Sequence, residues 1–195
     1  MSQIPIKQAV RVGEADLPGD LVVPANAVAM VLFVHGSASS RASPRNQGVA
    51  SVLRRQHLGT LLFDLLTEEE ARTAGKNFDI DLLAQRTSQA LRWVEHHPSL
   101  RGLALGLLGA STGAAAALVA AAQCPEKVMA VVSRGGRPDL ATVWLPKVKA
   151  PTLLIVGGRD TEVLALNREA MRRLTAPKRL EVVPEAGHLF EEPGA

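Results

Sequence analysis

The segment Gly-Ala-Ser-Thr-Gly at residues 109–113 constrains the fold of this chain more than any other. An apolar run at 103–108 precedes it, and an alanine-rich run at 114–122 follows it. This pattern predicts a nucleophile elbow, in which a buried strand turns sharply into a helix and Ser111 occupies the turn. The serine backbone in such a turn is strained, and a side chain two positions away on either side would collide with its neighbours. Glycine at both ends of the segment removes these collisions and leaves the Ser111 hydroxyl clear of the sheet.

Short apolar segments alternate with longer amphipathic ones along the rest of the chain. We predict strands at 8–13, 17–23, 29–34, 60–66, 103–108, 128–133, 152–156 and 180–183. We predict helices at 44–57, 79–97, 114–124 and 162–174. The first two strands are predicted to be antiparallel, and the later alternation predicts a mostly parallel sheet with helices on both faces. The fold class is therefore α/β, in a single domain spanning residues 1–195, and the connections are too short to hold a cap domain.

Composition and charge exclude several classes of protein. The net charge of +3 is small and aromatic residues make up only 3% of the chain, so we expect no nucleic-acid partner. The uncharged segment 102–124 contains Gly, Ser, Thr and Gln with a turn at its centre, so we expect it to be a buried strand and helix and expect no membrane association. The single cysteine, Cys124, excludes an internal disulfide and fits a reducing compartment, which predicts a cytoplasmic protein.

Polar residues that could carry chemistry follow the predicted strands at their carboxyl ends, where ligands meet parallel sheets. These residues are His35, Gly36, Ser37, Asp64, Ser111, Arg134, Asp160 and His188.

Three of these residues have the types and the chain order of a nucleophile, an acid and a base: Ser111, Asp160 and His188. A serine hydroxyl is a poor nucleophile at neutral pH, so it needs a base within hydrogen-bond reach, and that base needs an orienting group. Histidine in general can take and return a proton near neutral pH. Asp160 could accept a hydrogen bond from Nδ1 of the histidine and could also cap the helix that follows it. Asp139 is the competing acid.

Two backbone N–H groups are candidates for an oxyanion hole. The N–H of Thr112 follows the predicted nucleophile at a helix N-terminus, and the N–H of Ser37 lies in the loop after the strand at 29–34. In the same loop, His35 and Gly36 are candidate substrate contacts.

The remaining candidates each have two interpretations. Arg134 could bind a substrate carboxylate, or it could anchor its own loop through carbonyl groups and Asp139. Asp64 could contact substrate or only accept bonds from loop amides. The acidic run at 68–70 is interpreted as a solvated loop, and we expect neither a metal nor an organic cofactor.

Four motifs in this order resemble the α/β-hydrolase superfamily, and in particular its small lidless members that are similar to dienelactone hydrolases and related carboxylesterases. The motifs are His35-Gly36-Ser37, the elbow at 109–113, the segment 153–160 and Gly187-His188. The resemblance implies a serine hydrolase with the triad Ser111, Asp160 and His188, which cleaves small carboxylic esters or lactones. Without a cap we expect an open, shallow site that prefers short acyl chains. The same fold also serves thioesterases, peptidases, acyltransferases and non-catalytic binding proteins, and these alternatives stay open.

The sequence departs from the dienelactone hydrolase pattern in two places. Those enzymes typically carry cysteine as the elbow nucleophile, whereas this chain has Ser111, which favours general ester hydrolysis. The family also usually closes with a long helix after the histidine, and here only seven residues follow His188. We therefore expect the final helix to be missing and one face of the sheet to be partly bare. Either the sequence is truncated or a partner chain, such as the second copy in a homodimer, covers that face.

Overall fold

The computed structural model describes residues 5–192 and Gly194, and within them eight strands form one sheet. The strands are β1 (Ile6–Val12), β2 (Leu17–Val23), β3 (Ala29–Val34), β4 (Leu58–Phe63), β5 (Ala104–Ala110), β6 (Val128–Arg134), β7 (Thr152–Gly157) and β8 (Lys178–Val183). The α-helices are α1 (Pro44–Arg55), α2 (Glu68–Arg72), α3 (Ile80–His96), α4 (Thr112–Gln123) and α5 (Thr161–Arg173).

The order of strands across the sheet is β1-β2-β4-β3-β5-β6-β7-β8. The pairs β1–β2 and β2–β4 are antiparallel, and all the other neighbours are parallel. The carboxyl ends of β3, β5, β6, β7 and β8 therefore meet at one edge of the sheet. The segments that follow these five strands carry nearly all of the predicted site residues.

Helices cover the two faces of the sheet unequally. On β5, Leu107 packs in the main core with α3 and α4, whereas its neighbour Leu108 packs with Ala50 of α1 on the opposite face. Val163 and Leu164 of α5 pack against Val156 of β7. Leu154 lies two residues earlier on the same face of β7 and belongs to the main core, which α4 covers. Thus α3, α4 and α5 share one face and α1 lies on the other. The predicted α/β class, with its mostly parallel sheet and helices on both faces, is confirmed.

Helix α4 is buried along nearly all of its length, from Thr112 to Ala121. Its side chains are mostly methyl groups, so the helix axis can lie close to both the sheet and α3. Close packing at this helix holds the turn at its N-terminus, where Ser111 lies.

The predicted helices agree with the structure to within two residues at each end, but two other expectations are wrong. The strand predicted at 60–66 ends at Phe63, because the N–H of Leu65 donates to Nε2 of His35 instead of to a neighbouring strand. The acidic run predicted as a loop forms α2. Thr67 and Glu70 cap this helix with reciprocal side-chain-to-backbone hydrogen bonds, which a Thr-x-x-Glu pattern would have indicated.

One part of the sheet lacks a helical cover on one face, as expected. An open depression runs over β6, β7 and β8 on the face opposite α5, and no helix of residues 5–192 lies on it. Its lining is mainly apolar and includes Ala130, Val132 and Leu153. Within the described residues, none of the helices has the length and apolar character needed to cross a bilayer.

Candidate active site

The backbone of Ser111 is held in a conformation that is rare for residues other than glycine, with φ of 51° and ψ of −123°. The two glycines that flank it explain how this turn packs. A β-carbon at position 109 would lie 2.5 Å from Cα of Ala114, and one at position 113 would lie 2.1 Å from the carbonyl oxygen of Val34. Both contacts are too short for any side chain, so the turn requires glycine at these two positions, as the sequence predicted.

Ser111 and His188 line the same cavity at the carboxyl edge of the sheet, with a volume of about 170 Å³. The other lining residues are Gly36, Ser37, Ala38, Ser39, Arg45, Ala110, Arg134, Gly135 and Leu189. The structure thus brings together residues from the loops after β3, β5, β6 and β8. The space is sufficient for a small acyl group.

Asp160 lies beside the imidazole of His188, and Nδ1 of His188 is 2.6 Å from its Oδ2. The Asp160 side chain is only 14% exposed, compared with 38% for His188. The other carboxylate oxygen, Oδ1, accepts a hydrogen bond from the N–H of Val163 in the first turn of α5. Asp160 therefore orients the imidazole and caps a helix at the same time.

Asp139, the competing acid, is engaged elsewhere. Its two carboxylate oxygens accept bonds of 2.9 and 2.8 Å from Nε and Nη2 of Arg137. This bidentate pair raises the pKa of Arg137. It also leaves Asp139 without contact to the imidazole.

The loop after β3 lies directly against the nucleophile turn. A β-carbon on Gly36 would be 3.0 Å from Cβ of Ser111, so this residue permits the close approach. The carbonyl of Gly36 accepts the N–H of Ser39, which closes a tight turn around Ser37. Ser37 lines the cavity, whereas the side chain of Thr112 is buried. The Thr112 N–H belongs to the first turn of α4, where backbone N–H groups have no partner within the helix.

The imidazole of His35 contacts this loop and the chain that follows β4 through its two ring nitrogens. Its Nδ1 lies 2.9 Å from the carbonyl oxygen of Gly36, and its Nε2 accepts the N–H of Leu65 at 3.2 Å, which requires the neutral ring with the proton on Nδ1. Burial lowers the pKa of His35, and this outweighs the bond to Gly36 and the charge of Asp64. His35 therefore joins the ends of β3 and β4.

Asp64 is also separated from Ser111. It accepts bonds from the backbone N–H and the guanidinium of Arg41, at 2.9 and 3.3 Å. Together with His35 it lines a second cavity, of about 510 Å³, and Ser39 belongs to the walls of both cavities. Of the four candidate substrate contacts, the structure places Gly36 and Arg134 beside Ser111 and places His35 and Asp64 behind the intervening turn.

Two arginines line the cavity, and one of them, Arg45, is paired with Glu191. Nη2 of Arg134 donates to the amide oxygen of Asn46 at 3.1 Å, whereas Asp139, which one of the two alternatives offered as its partner, is bound to Arg137. Burial and the nearby charge of Arg45 both lower the pKa of Arg134. Arg45 was missed in the sequence. It lies in the first turn of α1, just after the loop of Ser37, and that position was the available signal.

Residues 51–195 match the family described as the dienelactone hydrolase family. The chain belongs to the dienelactone hydrolase family. A crystal structure of a family member, the dienelactone hydrolase from Anabaena variabilis ATCC 29413, is 57% identical with a TM-score of 0.94, and the match covers 98% of this chain and 91% of that one.

Other proteins similar to this chain, itself a member of the dienelactone hydrolase family, are longer than it or much less identical to it. Two Mycobacterium tuberculosis proteins, from strains CDC 1551 / Oshkosh and H37Rv, are each 54% identical over 182 residues and carry the name "Putative phosphoribosyl transferase". The match covers 93% of this chain but 41% of those proteins. Est1E from Butyrivibrio proteoclasticus shares the fold at 12% identity, with a TM-score of 0.80 and coverage of 95% and 91%.

Proposed function

We propose that this chain is a serine hydrolase that cleaves small carboxylic esters or lactones through an acyl-enzyme intermediate. The observation that carries the proposal is that His188, which is hydrogen-bonded to Asp160, lines the same cavity as Ser111 in its strained turn. Family membership supports hydrolysis in general. The roles of individual residues and the choice of substrate are part of the proposal.

The reaction proceeds in two halves. Ser111 Oγ attacks the ester carbonyl as its proton passes to Nε2 of His188, and the negative oxygen of the tetrahedral intermediate is held by the N–H groups of Ser37 and Thr112. Collapse of the intermediate breaks the ester bond, and His188 returns the proton to the leaving alcohol. A water molecule then gives a proton to His188 and attacks the acyl-enzyme. Collapse of this second intermediate breaks the acyl–oxygen bond to Ser111, releases the acid, and returns the proton from His188 to Ser111 Oγ. Asp160 stabilises the imidazolium in both halves.

The dimensions of the cavity favour small acyl groups. Its volume is about 170 Å³, and the chain between β6 and β7 contains only two short 3₁₀ turns, so no cap encloses a long acyl chain. Short acyl groups, or small lactones, fill such a space, whereas a long chain would extend into water.

The test is a panel of matched substrates on one preparation. We expect acetyl and butyryl p-nitrophenyl esters to be hydrolysed faster than the octanoyl ester, and oxygen esters faster than the corresponding thioesters and peptides. Initial rates across the panel measure both preferences. Faster turnover of thioesters or peptides would assign the site to one of the other acyl chemistries, and faster turnover of octanoyl esters would contradict the argument from cavity size.

Arg134, whose side chain donates to the neutral amide of Asn46, predicts a preference for substrates that carry a negative charge near the ester. We expect Arg134→Gln to lower kcat/KM for a monoester of succinate about tenfold to hundredfold, since a charge-assisted bond contributes roughly 1.5–3 kcal/mol, and to leave neutral esters nearly unchanged. Arg137→Gln is the matched control, because Arg137 is paired with Asp139 and does not line the cavity. Equal losses for charged and neutral esters would contradict a substrate role for Arg134.

The name of the Mycobacterium tuberculosis relatives suggests a different activity, phosphoribosyl transfer. It applies to proteins of which this chain matches 41%, and the family match of this chain is to hydrolases. We therefore place hydrolysis in the matched part. Release of pyrophosphate from phosphoribosyl pyrophosphate by this chain would contradict that assignment.

A further inference from the structure

The segment that carries His188 is not part of a helix or strand, so its position depends on individual contacts. Residues 184–192 follow β8 as turns and bends. The carbonyl of Ala186 accepts the N–H of Arg159, which secures only the beginning of the segment. The imidazole nevertheless has to face Asp160 on one side and the Ser111 cavity on the other. Other contacts must hold the rest of the segment in place.

Glu192 supplies one such contact by folding back on the start of the segment. Its Oε1 accepts the N–H of Gly187 at 2.9 Å, which closes a ring around His188. A β-carbon on Gly187 would lie 2.9 Å from this same oxygen, so glycine at 187 makes room for the carboxylate. The second oxygen, Oε2, is enclosed and has no hydrogen-bond partner among the described residues. The carboxylate is therefore held inside the loop instead of pointing into solvent.

The charge of Glu192 suits this position. The surroundings of Glu192 lower the pKa of its carboxyl group. The largest contribution comes from the N–H of Glu192 itself, followed by the N–H of Gly187, the charge of Arg159 and the N–H of Glu191, while partial desolvation opposes them. The carboxyl group is thus ionised at neutral pH, when hydrogen bonds from amides to it are strongest.

Phe190 lies between Gly187 and Glu192 in the chain, and its backbone conformation allows the loop to close. Its φ is 54°, a left-handed conformation that is rare for an aromatic residue and reverses the chain locally. The ring edge of Phe190 and Nδ1 of His188 both approach the α-carbon of Gly135, since a β-carbon there would lie 3.5 and 3.6 Å from them. The imidazole is thereby packed against the end of β6 while Glu192 closes the loop.

We propose that Glu192 is a positioning residue, whose hydrogen bond to the Gly187 N–H holds the imidazole of His188 in line with Asp160 and the Ser111 hydroxyl. The proposal rests on the hydrolase function proposed above. Glu192 lies outside the wall of the cavity, so it acts on the reaction only through His188. Loss of the contact should affect the chemical step more than substrate binding.

Two substitutions separate the reach of the side chain from its charge. Glu192→Asp keeps the charge but is one methylene too short to reach Gly187, whereas Glu192→Gln keeps an oxygen at the same distance. We expect kcat to fall about tenfold to hundredfold in Glu192→Asp with KM changed less than about twofold, since small displacements of a catalytic group have effects of this size. Glu192→Gln should retain most of the activity. Glu185→Ala, which removes the exposed carboxylate paired with Arg159 at the start of the segment, is the matched control and should behave as the unmodified protein.

Proton NMR gives a readout that does not depend on turnover. The Nδ1 proton in the short His188–Asp160 bond should give a far-downfield resonance in the unmodified protein, in Glu192→Gln and in Glu185→Ala, and this resonance should be lost or exchange-broadened in Glu192→Asp. Retention of both the resonance and kcat in Glu192→Asp would overturn the proposal, as would an equal loss in Glu185→Ala or in Glu192→Gln. If the unmodified protein hydrolyses no substrate, the proposed function fails, but the resonance still decides the role of Glu192.

Discussion

Replacing Ser111 with alanine is expected to reduce ester hydrolysis by about a millionfold in kcat, because the acyl-enzyme can no longer form. The fold should survive, since alanine occupies no more space than serine in the turn between the two glycines. A fluorophosphonate probe, which reacts covalently with activated serines, should label the unmodified protein and fail to label Ser111→Ala. Rates with p-nitrophenyl acetate and labelling followed by intact mass measure the two effects.

Ser39→Ala is the control for this experiment. It removes another hydroxyl from the wall of the same cavity but keeps the N–H that donates to Gly36. Labelling and hydrolysis should persist in this variant. Undiminished labelling of Ser111→Ala would place the nucleophile elsewhere, and failure of a folded, unmodified sample to react would favour a binding protein built on the hydrolase fold.

The second large effect is expected at Asp160. In Asp160→Asn the side-chain amide can donate to Nδ1 of His188, which favours the tautomer that carries its proton on Nε2 and cannot act as a base. A loss of about 10⁴-fold in kcat follows from the same change in a serine protease triad. The bond to the Val163 N–H can still form because asparagine is also a good helix cap, so stability should change little. Measured kcat together with urea unfolding separates the two roles.

Asp160→Ala and Asp139→Asn complete the comparison. The alanine variant loses the cap as well, so its free energy of unfolding should fall by about 1 kcal/mol in addition to the catalytic loss. Asp139→Asn should leave kcat unchanged, because Asp139 is bound to Arg137. A greater loss of activity in Asp139→Asn than in Asp160→Asn would reverse the assignment of the acid.

The sequence predicted those parts of the fold and site that depend on local patterns. The elbow was predictable because the Gly-x-Ser-x-Gly pattern lies between a strand-like run and a helix-like run, although the collision that excludes a side chain at 113 is with the carbonyl of Val34 at the end of β3. The order of the eight strands and of four of the five α-helices in the described residues was predictable from hydrophobic periodicity and turn signals, and α2 was missed. The placement of Ser111 and His188 in the wall of one cavity followed from the rule that parallel strands present their carboxyl ends at one edge.

Contacts that depend on side chains from distant segments could not be predicted. Arg45 reaches Glu191 across 146 positions in the chain, at 2.5 Å, and no local pattern indicates that these two residues pair. Arg134 bonds to Asn46, which is 88 positions away in the chain, whereas Arg137 bonds to the nearby Asp139. The loop closed by Glu192 depends on a left-handed phenylalanine, which propensity would not suggest.

The burial of α4 has a consequence for changing what this protein accepts. Because Thr112 to Ala121 already fill the space between the sheet and α3, a larger residue there would displace the serine turn before it reshaped the cavity. The opposite wall is built from loop residues such as Leu189, which is 47% exposed, and can be altered without this penalty. Directed evolution for new substrates should therefore find tolerated variation at wall positions such as Ala38 and Leu189, while the alanine helix stays invariant.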